Sequence, residues 1–189
     1  IMFGKKRISK VQVIALGFLI IIILGTLLLM LPVSSRDGRA TSFLDALFTA
    51  TSAGCVTGLV VVDTYTHWSL FGQIVIICLI QVGGLGFISI GIIIALLLGR
   101  RVSLRHRGLM QESVNTLQIG GMVRLTKKMI VGTLIFEGIG ALILSIRFAF
   151  IMNPARAVFY GIFHSVSAFC NAGFDLLGCY GEYNSLCGF

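Results

Sequence analysis

From Val11 to Leu31 the chain runs for 21 residues without a charged side chain, and this stretch limits the possible folds more than any other feature. As an α-helix it would reach about 31 Å at 1.5 Å per residue, the thickness of bilayer hydrocarbon. The pattern returns twice. Ser69 to Gly99 carries no charge, and Met129 to Phe148 carries only Glu137 and Arg147. With 57% hydrophobic and 12% charged residues, a soluble domain would lack the polar side chains needed to cover its surface. The expected fold class is an all-α integral membrane protein, multi-pass in the cell (plasma) membrane, with the lipid bilayer as its first partner. Basic residues before an apolar run also describe a secretory signal. This run is too long for one, and no small-residue cleavage site follows Leu31-Pro32.

A net charge of +8 would suggest nucleic acid in a soluble protein. Here the positions of the charges favour a different reading, and no nucleic-acid partner is expected. Lys5, Lys6, Arg7 and Lys10 precede the first span, while Arg100, Arg101, Arg105, Arg107, Arg124, Lys127 and Lys128 fill the segment between two later spans. Only Arg36, Arg39, Arg147 and Arg156 lie elsewhere. The positive-inside rule therefore predicts a cytoplasmic amino terminus and a cytoplasmic 100–128 loop.

Between the spans, Ser42 to Ala53 reads as about three helical turns with Ser42 as cap. It is too short to cross the bilayer and too apolar for an exposed loop, so a re-entrant helix is predicted, followed by a glycine-containing loop. Comparing the chain with itself at an offset of 115 residues gives the decisive pattern. Gly17 falls on Gly132, Gly25 on Gly140, Phe48 on Phe163, Ser52 on Ser167, Ala53 on Ala168, Cys55 on Cys170 and Gly58 on Gly173. Apolar composition explains leucine and isoleucine matches, but hardly Ser-Ala-x-Cys-x-x-Gly twice in register. The predicted organisation is a basic amino terminus (1–10) and a first unit over 11–99, with span 11–31, short helix 42–53, loop 55–59 and span 69–99. The basic loop 100–128 follows. An incomplete second unit covers 129–189, with span 129–148, short helix 157–168 and loop 170–174.

Such a unit suits cation conduction. A dehydrated cation needs oxygen ligands, and backbone carbonyls supply them without a fixed negative charge in the membrane. Glycine reaches the required backbone angles at little cost, and the carboxyl end of a short helix favours a cation. The bland alternative is that Gly58 and Gly173 are ordinary turn glycines. Asp63, just past the first loop, is an outer-mouth candidate or a solvated charge; its equivalent is Gly178. Glu137 is either an ion ligand or a carboxylate hydrogen-bonded to another helix, and its equivalent Ile22 favours the second reading. Gln81 to Phe87 contains three glycines, but no strand precedes them as a nucleotide-binding loop requires. Close helix packing accounts for them better. His67, His106 and His164 have neither metal-ligand spacing nor a nucleophile partner, so no catalytic residues and no enzyme activity are expected. Cys179 and Cys187 sit on the predicted outer side, where a disulfide is feasible.

Three segments, Phe48-Thr-Ala-Thr-Ser-Ala-Gly-Cys-Val-Thr-Gly-Leu59, Ile80-Gln-Val-Gly-Gly-Leu-Gly-Phe87 and Phe163-His-Ser-Val-Ser-Ala-Phe-Cys-Asn-Ala-Gly-Phe174, resemble the Trk/Ktr/HKT potassium transporters. The resemblance implies repeated span–pore helix–filter loop–span units as in potassium channels, four around one pore, here one complete and one incomplete. It implies a potassium filter with Val56, Thr57 and Gly58 in the first segment and Asn171, Ala172 and Gly173 in the second. Plant relatives with serine at the first glycine position favour sodium, so Gly58 points to potassium, and sodium coupling is left open. The family further implies a homodimer at full length and a cytoplasmic KtrA-like nucleotide-binding ring as regulator. No covalent cofactor is implied, and nucleotide would enter only through that partner. Half of the expected filter is missing. The chain is therefore expected to be a truncated portion of a pore subunit that conducts nothing alone, the runner-up being a non-conducting membrane scaffold or assembly subunit.

Overall fold

A computed structural model describes residues 10–86 and 122–180. The elements are helix α1 (Lys10–Leu29), a 3-10 turn (Pro32–Ser34), α2 (Phe43–Gly54), the single turn α3 (Thr64–His67), α4 (Leu70–Leu85), α5 (Met122–Ala149), α6 (Pro154–Phe169) and a closing 3-10 turn (Leu177–Tyr180). The only pairing resembling a sheet among the described residues is one isolated bridge, Ser35 to Trp68.

Two helices are long and apolar enough to cross a membrane, over Gln12–Leu29 and Thr126–Ala149. Their surfaces say what surrounds them. Leu16, Leu19, Ile20, Ile23, Leu24, Leu27 and Leu28 of α1 are all exposed, as are Leu134, Ile135, Phe136, Ile139, Leu142, Ile143 and Ile146 of α5. A water-facing helix confines its apolar side chains to one stripe; these extend well beyond one. A bilayer is the solvent that accepts such a surface.

The short helices begin where the local chemistry stops the chain from extending. Ser42 caps α2 by accepting from the Asp45 amide, and Asn153 caps α6 by accepting from the Ala155 amide with Pro154 in the first turn. The Asn-Pro start places the beginning of α6 at Pro154 rather than at residue 157. Helix α5 starts at Met122 rather than Met129, so the last part of the expected 100–128 loop is helical. Helix α4 stops at Leu85, where Gly86 takes φ 76°, a conformation that ends a helix cheaply only at glycine. The rest of the expected 69–99 span, most of the 100–128 loop including His106, and Cys187 lie outside the described residues.

Helix α1 packs on α2 and α4, and α5 packs along α6. Trp68, Ile76 and Ile80 from the first half share one core with Phe163, Phe174 and Leu176 from the second. The α1–α2 corner is tied to the start of α4: the Ser69 amide donates to Ser34 O at 2.9 Å and the Arg36 amide to His67 O at 2.9 Å. Close approach needs missing side chains. A Cβ on Gly25 of α1 would fall 2.7 Å from Leu79 of α4, and one on its repeat partner Gly140 would fall 2.5 Å from Ser165 of α6.

Candidate functional site: two loops in contact

Helix α2 ends at Gly54 and releases the chain through a Schellman turn. The Cys55 amide donates to Thr51 O at 2.8 Å, Val56 to Ala53 O at 3.3 Å, and Thr57 to Ser52 O at 2.9 Å. Helix α6 ends at Phe169 with the same pattern: Cys170 to Val166 O at 3.0 Å, Asn171 to Ala168 O at 3.1 Å, and Ala172 to Ser167 O at 2.7 Å. Every donor and acceptor of the second set sits 115 positions after its counterpart. Val56 and Asn171 both take φ 57°, and the glycines two residues on take φ 77° (Gly58) and 70° (Gly173).

Left-handed backbone is natural for glycine, tolerable for asparagine and costly for a β-branched residue. Val56 is thus a strained position that the sequence did not disclose. A Schellman turn usually advertises itself by glycine at this place, and here the glycines come two residues later.

The two loops touch. A Cβ on Gly58 would lie 2.9 Å from the Ala172 carbonyl oxygen and 3.3 Å from Gly173 Cα, and one on Gly173 would lie 3.0 Å from Gly58 Cα. Neither glycine has room for a side chain on that side. Ala172 is buried, Val56 and Gly58 are half-buried, and Thr57, Asn171 and Gly173 are exposed. All six predicted residues therefore belong to two adjoining loops. Besides backbone carbonyls, the six residues carry two side-chain oxygens, the Thr57 hydroxyl and the Asn171 amide oxygen. Among the described residues no three His, Cys, Asp or Glu side chains gather as a metal-binding group.

The glycines of α4 explain how the loops reach each other. A Cβ on Gly83 would collide with the Gly54 carbonyl and come within 3.0 Å of Val56. A Cβ on Gly84 would collide with the Cys170 thiol. Adjacent residues of one helix thus seat the ends of both short helices. This is the close approach expected of small residues, and Gly86 serves instead to end the helix.

Side chains then fix each loop from behind. Thr57 Oγ1 donates to Ser52 Oγ at 2.9 Å in the first. In the second, Ser167 Oγ donates to Phe174 O at 2.6 Å. The Leu176 amide donates to His164 Nε2 at 3.2 Å, which leaves His164 Nδ1 as the donor to Tyr160 O at 2.8 Å. Glu137 accepts from Gln81 Nε2 on both carboxylate oxygens, at 3.0 and 3.1 Å, and lies 4.0 Å from the Cys170 thiol. It faces α4 and the back of the second loop rather than the paired glycines. Asp63 caps α3 by accepting from the Thr66 amide at 2.7 Å. It also packs on Gly178, whose Cβ position is 2.5 Å from Asp63 Oδ1, so the two repeat-equivalent positions meet directly.

Residues 7–185 match the family TrkH, cation transport protein. The chain is 45% identical over 174 residues to the potassium/sodium uptake protein NtpJ of Enterococcus hirae, covering 92% of this chain and 39% of that one. It is 47% identical over 170 residues to the Ktr system potassium uptake protein B of Bacillus subtilis, covering 90% and 38%. The protein of the same name from Vibrio alginolyticus is 42% identical over 172 residues, covering 91% and 37%. The chain spans about two fifths of the length of these curated relatives.

Proposed function

The chain belongs to the TrkH cation transport family, and on that premise we propose that it supplies two quarters of a potassium-selective filter in the pore subunit of a potassium uptake system. The observation that carries this reading is the contact between Gly58 and Gly173, each presented by an identically capped short helix. Positive φ at two residues separated by one, in both loops, supports it further. Such a pattern turns successive peptide planes so that carbonyls fall on one side, as a carbonyl-lined ion path needs. Helices α2 and α6 then serve as pore helices whose carboxyl ends favour a cation, and α1 and α5 as membrane spans.

The names of the relatives support potassium as cargo, and NtpJ adds sodium. The glycine at position 58 favours potassium. The Ktr name belongs to a system, which supports operation with further subunits. We place the cytoplasmic nucleotide-binding ring and the homodimer within that system, with the amino terminus cytoplasmic.

The test is a chimera in which residues 7–185 replace the matching part of the Bacillus subtilis Ktr system protein B. Expressed in uptake-deficient cells, it should restore growth at low potassium. Gly58→Ser in the chimera should lower potassium uptake and admit sodium. An unchanged potassium-to-sodium ratio would overturn the filter assignment.

A further inference from the structure

We propose that the pocket between the α3–α4 corner and the start of α6 binds the headgroup phosphate of an anionic phospholipid. The pocket has a volume of about 390 Å³, within the usual size range of small-ligand sites. Arg36 from the first half and Arg156 from the second both line it, together with Tyr65 and Tyr160, and among the described residues no carboxylate does. Guanidinium groups recognise phosphate through paired N–H donors.

Arg36 is already oriented for this task. Its Nε donates to the Trp68 carbonyl at 3.2 Å, and its guanidinium carbon sits 4.0 Å over the centre of the Tyr65 ring. The terminal nitrogens are left to donate elsewhere. Arg156 is placed where its charge is unfavourable by itself. It stands in the first turn of the 16-residue helix α6, at the positive end of the helix dipole, and no acidic residue occupies that turn. A bound anion would offset both the dipole and the second guanidinium.

The surroundings select lipid over a free anion. Leu70, on the pocket wall, is 60% exposed, and Phe159 beside it is half-buried. Leu70 and Phe159 give an acyl chain an apolar surface that a free anion would not use. Tyr65, half-buried on the pocket wall, matches the aromatic preference of the headgroup region.

The test measures melting of the purified protein reconstituted in phosphatidylglycerol vesicles and in phosphatidylcholine vesicles. The phosphatidylglycerol sample should melt higher. Arg156→Gln should leave melting in phosphatidylcholine unchanged or slightly raised, because no contact is lost and a dipole conflict is relieved. It should retain phosphatidylglycerol about tenfold less well in native mass spectrometry, the effect of one charged hydrogen bond. Arg156→Lys should keep most of the retention. Arg36→Gln also loses its Trp68 contact, so Arg156→Gln is the deciding variant. Equal melting in both lipids, or wild-type retention by Arg156→Gln, would overturn the proposal. An equal shift from inorganic phosphate added to phosphatidylcholine vesicles would overturn the lipid assignment in favour of a free anion.

Discussion

Gly58→Ala isolates the contact on which the functional reading depends, because the chain contains a matched control. Gly38 and Gly58 both have positive φ, 66° and 77°, but a Cβ on Gly38 meets nothing within 4 Å. Alanine at position 38 should therefore cost only the left-handed strain, about 1–2 kcal/mol. At position 58 the same strain is joined by overlap with the Ala172 carbonyl at 2.9 Å and Gly173 Cα at 3.3 Å. Overpacking against backbone adds about 1–3 kcal/mol, since neither neighbour can rotate away. Equilibrium unfolding in mixed detergent should place Gly58→Ala about 1–3 kcal/mol below Gly38→Ala. Gly173→Ala should behave like Gly58→Ala, and the double variant should cost less than the sum because both methyl groups open the same seam. Equal costs at positions 38 and 58 would mean that the two loops do not touch, and the paired-filter geometry would fall with them.

Three further outcomes follow from the supports behind the loops. Glu137→Leu leaves the Gln81 amide without its acceptor and should destabilise by about 1–3 kcal/mol, while Glu137→Gln, which keeps an acceptor oxygen, should cost less; the same unfolding titration compares them. His164→Phe removes the acceptor of the buried Leu176 amide, so hydrogen exchange at that amide should accelerate and stability should fall by about 1–3 kcal/mol. Gly84→Ala should cost about 1–3 kcal/mol through its clash with Cys170. Adding Cys170→Ala should recover only part, because the Cys170 Cβ itself lies 2.9 Å from the new methyl.

Much of the fold was legible because it depends on features one sequence displays directly. Apolar run length marked the long helices α1 and α5, Ser42 marked the start of α2, and the 115-residue self-match pointed to both loops. Other features depend on partners that no local pattern reveals. The strain at Val56 follows from a Schellman turn whose left-handed residue is not glycine, so the usual signal is absent. The start of α6 at Pro154 was available from Asn153-Pro154, a cap followed by a first-turn proline, and the self-match obscured it because the first half has no such pair. The role of Gly83 and Gly84 was legible only as close packing. That one glycine seats each short helix requires knowing which helix lies between the two loops.

The two loops share a backbone but not their supports, and this difference bears on which one yields first. On the second loop, Ser167 and His164 lie one turn apart on α6 and hold Phe174 and Leu176 of the outgoing segment. At the equivalent positions of α2, Ser52 holds Thr57 within the turn itself, and Thr49 Oγ1 is buried without a hydrogen-bond partner among the described residues. Among the described residues the first outgoing segment thus lacks a tie of the kind His164 supplies, and it follows the strained Val56. Local opening takes the path with the fewest buried hydrogen bonds to break. Segment 58–62 should exchange its amides faster than 173–177, and Thr49→His is the substitution that would copy the missing brace. Slower exchange in the first loop than in the second would mean that glycine contact, not side-chain bracing, governs how firmly each loop is held.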